Sequence, residues 1–99
     1  MDIKERQRYR LEILFDLYDY YFTSGGLPYE VKYENLHRDA LENETHCVYE
    51  YLLAKGFITY KQILENCYLA QITSNGIDYL EGKINELPDK IDEIPAMNN

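Results

Sequence analysis

Leu11, Leu14, Phe15, Tyr18, Tyr21 and Phe22 recur at helical spacing, which predicts a helix over residues 4–22 with one apolar face. At about 100° per residue, Tyr9, Ile13, Leu17 and Tyr20 form a second apolar stripe. Only Glu5, Arg8, Glu12, Asp16 and Asp19 hold a clearly polar strip. Such a helix needs cover on two sides: the domain core on one, and a further helix or a second subunit on the other. Thr23-Ser24-Gly25-Gly26 stops it, because glycine takes the left-handed conformation that ends helices. Leu27, Tyr29, Val31 and Tyr33 then alternate with Pro28, Glu30, Lys32 and Glu34, the period of a short strand. Residues 35–41 read as a short helix with Leu36, Ala40 and Leu41 inward. A polar turn, Glu42-Asn43-Glu44-Thr45, follows, with Asn43 and Thr45 as N-caps of a longer helix that runs to Lys55 and stops at Gly56. The inward arc of that helix is expected to hold Cys47, Val48, Tyr51 and Leu52.

Phe57-Ile58-Thr59-Tyr60 opens a strand, Glu65-Asn66 makes a turn, and residues 67–72 return with Tyr68, Ala70 and Ile72 on one face. Thr73 caps a final helix. Ile77, Leu80, Ile84, Leu87, Ile91 and Ile94 follow at spacings of 3, 4, 3, 4 and 3, a heptad seam. Pro88 interrupts it, since proline lacks the N–H and clashes with the preceding turn. The expected organisation is one domain over residues 1–87 and a short helical or frayed tail over 88–99.

Composition narrows the classes. Hydrophobic residues make up 45% and charged residues 28%, a globular balance. No apolar run approaches the roughly 18 residues of a membrane span, and the charged start carries no leader pattern. The expected location is therefore cytoplasmic, with no membrane contact. Cys47 and Cys67 form neither a disulfide framework nor a CxxC pair. With His37 and His46 they match no zinc spacing, so neither a metal nor a cofactor is expected. Nothing in the chain pairs a nucleophile with a base, and no phosphate-binding loop occurs, so an enzyme is not expected. The net charge of −8 disfavours a sequence-independent hold on nucleic-acid phosphates and leaves a local binding patch open.

The order helix, short strand, helix, helix, hairpin, helix is that of an α+β winged helix-turn-helix, with the hairpin as the wing. Tyr51-Leu52-Leu53-Ala54-Lys55-Gly56-Phe57-Ile58 has the form of a recognition helix running into the first wing strand. Ile72-Thr73-Ser74-Asn75-Gly76-Ile77-Asp78-Tyr79-Leu80-Glu81 has the form of the return that closes many bacterial winged helices. Over residues 8–82 the chain resembles the YjcQ-like family of small bacterial and phage proteins and, more loosely, the MarR and PadR regulators.

The resemblance implies a DNA-binding winged helix, a small transcriptional regulator. The residues that could serve are Asn43 and His46 for base edges, Tyr49 on the same outer arc, and Lys32, Arg38 and Lys61 for phosphates. The same arc carries Glu42 and Glu50 and has no Arg or Lys. Tyr49 and Leu53 suit a protein-facing surface equally well, so a protein-interaction adaptor stands beside the DNA reader. Tyr9, Ile13, Leu17 and Tyr20 of the first helix are expected to pack on Ile77, Leu80, Ile84 and Leu87 of the last, within one chain or across a homodimer.

Overall fold

The structure, a computed structural model, describes residues 1–86. In chain order it holds α1 (Ile3–Ser24), β1 (Tyr29–Lys32), α2 (Ala40–Ala54), β2 (Ile58–Leu64), β3 (Cys67–Ile72) and α3 (Ser74–Glu86). Three helices thus pack with one antiparallel sheet of order β1-β3-β2, an α+β architecture. Leu87, Pro88 and the tail over 88–99 lie outside the described residues.

α1 begins one residue earlier than its apolar pattern suggests, because Asp2 and Glu5 form a capping box. The Asp2 carboxylate accepts from the Glu5 N–H at 2.8 Å, and the Glu5 carboxylate accepts from the Asp2 N–H at 3.5 Å. At the other end Gly25 sits at φ 74°, and the Gly26 N–H donates to the Tyr21 carbonyl.

Much of both apolar stripes of α1 is covered within the chain, though Phe22 is exposed. Ile13, Leu14, Leu17 and Tyr18 are all buried. α2 meets the Tyr9 side: the Tyr9 and Thr45 hydroxyls are 2.6 Å apart, and Arg6 pairs with Glu44 at 2.6 Å. Farther along, Tyr20 meets Tyr29 of β1 edge-on at 5.2 Å. α3 lies on the other side, where the Tyr18 hydroxyl donates to the Glu81 carboxylate at 2.8 Å. Ile13 and Leu17 share one core cluster with Leu80 and Ile84 of the expected α3 seam, while Tyr9 and Tyr20 meet α2 and β1. Leu80 and Ile84 are buried and Ile77 is half-buried, but α3 reaches α1 on the Leu11, Leu14 and Tyr18 side.

The short helix expected over 35–41 is absent. Its place is taken by a turn in which the Arg38 and Asp39 N–H groups both donate to the Asn35 carbonyl at 2.9 Å. His37 there adopts φ 76°. A single helix, α2, starts after Asp39, whose carboxylate accepts from the Glu42 N–H at 2.9 Å. The polar run 42–45 does not break this helix, because its side chains serve the preceding turn. Glu42 accepts from the Asn35 N–H at 2.7 Å and Asn43 accepts from the His37 N–H at 2.6 Å. Thr45 returns its hydroxyl to the Leu41 carbonyl at 2.9 Å. Asn43 and Thr45 are thus interior helix residues, not caps.

The hairpin forms as its pattern predicts. β2 and β3 pair with Ile58 opposite Ile72 and Tyr60 opposite Ala70, and the turn places Asn66 at φ 57°. The register shifts once, between Gln62 and Leu64, a bulge near the tip. β1 pairs with the other edge of β3, Val31 opposite Tyr68. At the base of the hairpin α2 ends in a Schellman turn: the Phe57 N–H bonds the Leu52 carbonyl at 3.0 Å and the Gly56 N–H the Leu53 carbonyl at 2.9 Å. Thr73 fastens α3 to this turn. Its hydroxyl donates to the Gly56 carbonyl at 2.7 Å and accepts from the Gly76 N–H at 3.2 Å.

Candidate functional site

α2 lies against the sheet through His46 and Tyr49. Tyr49 is 6% exposed and stacks on Tyr60, ring centroids 5.0 Å apart and planes 10° from parallel. Tyr60 stacks in turn on Tyr68 at 4.5 Å and 11°. The helix is therefore rotated from the expected orientation. Tyr49 and His46 face the sheet, while Cys47 is exposed and Tyr51 is 40% exposed. The cause is long-range: the rings of Tyr33, Tyr60 and Tyr68, brought together by the sheet, form an aromatic bed that receives Tyr49 and His46.

A chain of hydrogen bonds threads this bed. The Tyr33 and Tyr60 hydroxyls are 2.8 Å apart, and the Tyr60 hydroxyl is 2.8 Å from His46 Nδ1. His46 Nε2 faces the Glu50 carboxylate at 3.7 Å, at the solvent end. Burial pushes the Tyr33 phenol up to about 12 and raises Tyr60 and Tyr49 further. These phenols keep their protons in neutral solution, and those of Tyr33 and Tyr60 are joined by the bond between their hydroxyls.

His46 gives a pH prediction. Burial holds its imidazole below the ordinary 6.5, with Glu50 pulling it up and His37 pushing it down. The folded state therefore binds a proton less readily than the unfolded chain. Stability from neutral His46 is complete above about 6.5 and is lost as the pH falls through the window below it. The urea midpoint should drop between pH 7.5 and 5.5, and the drop should be smaller in His46→Gln. An equal drop in both proteins would remove His46 as its source.

Only some of the residues expected to read DNA are exposed. Tyr49 is buried, His46 is held by Tyr60, and the Asn43 carbonyl oxygen is used by the turn. Lys32 is exposed and pairs with Glu30 on its own strand at 3.2 Å. Arg38 is exposed in the turn before α2, and Lys61 is exposed on β2. From Ala40 to Ala54 α2 carries Glu42, Glu44 and Glu50 and no Arg or Lys. Its outward positions include Leu41, Cys47, Tyr51 and Leu53, and the hairpin adds Ile63 and Leu64 near its tip.

Three grooves flank α1. One, against α2, is lined by Arg6, Arg10, Glu44 and Cys47, among others. A second, toward β1, includes Asp16, Asp19, Tyr20 and Tyr29. The third runs between α1, the end of α2 and α3, where Arg10, Tyr51, Phe57, Tyr79 and Lys83 meet. Motif patterns do not reveal this group, since its members come from distant parts of the chain. One signal was present: Tyr51-Leu52-Leu53-Ala54-Lys55 and Tyr79-Leu80-Glu81-Gly82-Lys83 both place a lysine four residues after a tyrosine, one helical turn on.

Among the described residues no group of three or more His, Cys, Asp or Glu side chains could hold a metal ion. No helix among them is long and apolar enough to cross a membrane. Comparison with protein-family models, with curated proteins and with solved structures returns no match.

Proposed function

We propose that the chain is a winged-helix-type binding module whose partner is a protein rather than DNA. The winged-helix reading is supported by the order helix, strand, helix, hairpin, helix, and by the sheet order β1-β3-β2. Its departure from the full pattern is the turn over 35–39 in place of the first helix of the helix-turn-helix pair.

One observation carries the choice of partner: α2, in the position of a recognition helix, has three glutamates and no cation from Ala40 to Ala54. Duplex DNA presents a negative charge about every 1.7 Å along its axis. A helix of this charge entering the major groove meets repulsion with no guanidinium to offset it. Exposed Tyr51 and Leu53 on the same helix are residues that a protein partner can desolvate.

Labelled duplexes, random in sequence and from the gene's own upstream region, should show no gel shift with micromolar protein at near-physiological salt. The positive arm places a photo-crosslinking residue at Leu53 in the cells that express the protein. The adduct should be destroyed by protease and survive nuclease. A salt-resistant gel shift, or an adduct removed by nuclease, would overturn the reading.

A further inference from the structure

We infer that the groove between α1, the end of α2 and α3 binds a short acidic peptide segment, one or two carboxylates beside an aromatic or branched apolar side chain. This rests on the reading of the chain as a protein-binding module and names the surface and the chemistry of the partner.

The first observation is charge. The chain carries 18 acidic residues against 10 basic ones, yet among the described residues no carboxylate lines this groove and both Arg10 and Lys83 do. The groove toward β1, by contrast, is lined by two aspartates and no cation. Among the described residues Arg10 makes no ion pair. An acidic protein thus holds a guanidinium where none of these carboxylates neutralises it.

The second observation is preorganisation. The Arg10 guanidinium lies 4.2 Å from the centroid of the Tyr51 ring, and Lys55 approaches the same ring at 5.6 Å. Stacking on the ring uses the face of the guanidinium and leaves its N–H edge to bind a carboxylate in two-pronged fashion. Across the groove Phe57 and Tyr79 stack at 4.4 Å and 20°, with Lys83 at 5.7 Å from the Tyr79 ring. Cations placed over aromatic rings lose less side-chain freedom on binding, which lowers the entropy cost of association.

The third observation is shape. The groove has a volume of about 350 Å³, and buried Leu14 and Leu52 contribute to its lining. That falls at the small end of ligand clefts, about 300–1,000 Å³. Apolar walls beside the Arg10 guanidinium suit an apolar side chain next to a carboxylate.

Nucleic acid shares the negative charge and stacks on aromatic rings, but it fits less well. A strand long enough to bind tightly would leave the groove and run over a surface that is net negative. At physiological salt that repulsion is screened only beyond about 8 Å. A peptide with one or two carboxylates ends where the positive patch ends.

The test is selection of phage-displayed random 12-residue peptides on the full chain at near-physiological salt. The selected peptides, made synthetically and labelled, are then measured by fluorescence anisotropy. They should carry Asp or Glu next to an aromatic or branched apolar residue. Arg10→Glu should weaken them at least tenfold while leaving the circular dichroism spectrum unchanged. Arg10→Gln, a milder change, keeps the test available should Arg10→Glu not fold, and should weaken them by threefold or more. No enrichment of acidic peptides overturns the inference. Enriched peptides indifferent to both variants overturn the groove and leave the protein-binding reading standing. Labelled oligo(dT), measured in parallel, should not bind; binding lost in Arg10→Glu assigns the groove to nucleic acid and overturns both.

Discussion

Gly76→Ala should remove a large part of the fold's stability, while Gly82→Ala, six residues on in the same helix, should not. A Cβ at position 76 would press onto the Phe57 carbonyl oxygen and lie 2.8 Å from Ile72 Cγ1. The first obstacle is backbone and cannot rotate away. Phe57 is also pinned: its carbonyl accepts from the Thr73 N–H at 2.9 Å, and its own N–H closes the Schellman turn at Leu52. Relief must come by lifting the start of α3 off the hairpin, which breaks the Thr73 bonds to Gly56 and Phe57. Overpacking of a tight core costs about 1–3 kcal/mol, more where backbone must move. A domain of this size has a total of about 5–15 kcal/mol, and each kcal/mol shifts its Tm by about 4–8 °C. A fall in Tm of about 15 °C is expected in a calorimetric or circular dichroism melt. At Gly82 the added methyl meets nothing within 4 Å, and alanine is a better helix former by about 1 kcal/mol. That variant should melt at or above the wild-type temperature. Equal melting of Gly76→Ala and wild type would show that the close approach can relax.

The same glycine shows which parts of the fold the sequence discloses. The start of α3 at Ile72-Thr73-Ser74-Asn75-Gly76 is readable because the Thr73 cap acts on a near neighbour, Gly76. Thr73 caps α3, and Gly76 lets the first turn of that helix lie against Phe57. The hairpin is readable for a similar reason, as Asn66 tolerates the left-handed turn between two strands of alternating pattern. Where the reading failed, the deciding partner lay far along the chain. Asn43 and Thr45 look like helix starters until the turn at 35–39 supplies the N–H that Asn43 caps. Tyr49 and Tyr51 are alike in sequence, and only the rings of Tyr60 and Tyr68 decide that Tyr49 goes inside. The two stripes of α1 do signal cover on two sides. Which element covers which side depends on Tyr9 meeting Thr45 and Tyr18 meeting Glu81, and no periodicity encodes that. The groove at Arg10 is only hinted at by the two Tyr-to-Lys spacings, since Arg10, Tyr51 and Tyr79 stand on three different helices.

Tyr60 should be the most sensitive position in the aromatic bed, and two substitutions separate its ring from its hydroxyl. Tyr60→Ala removes the ring on which Tyr49 and Tyr68 stack. The loss expected for truncating a buried aromatic is about 3–5 kcal/mol. Tyr60→Phe keeps the stack and removes one oxygen, which is 2.8 Å from both the Tyr33 hydroxyl and His46 Nδ1. Tyr33 is 7% exposed, so its hydroxyl is left without a partner, a cost of about 1–3 kcal/mol. His46 is half-buried and can recover a water molecule, so most of the penalty falls on Tyr33. This fixes the sign of a double-mutant cycle. In Tyr33→Phe, Tyr60 still bonds to His46, so that change alone should cost less than Tyr60→Phe. In the double variant the stranded Tyr33 hydroxyl no longer exists, and the combined loss of urea stability should be smaller than the sum of the single losses. Strict additivity would mean that the two phenols do not share a bond in solution. A less-than-additive result would show that the two phenols belong to one connected network.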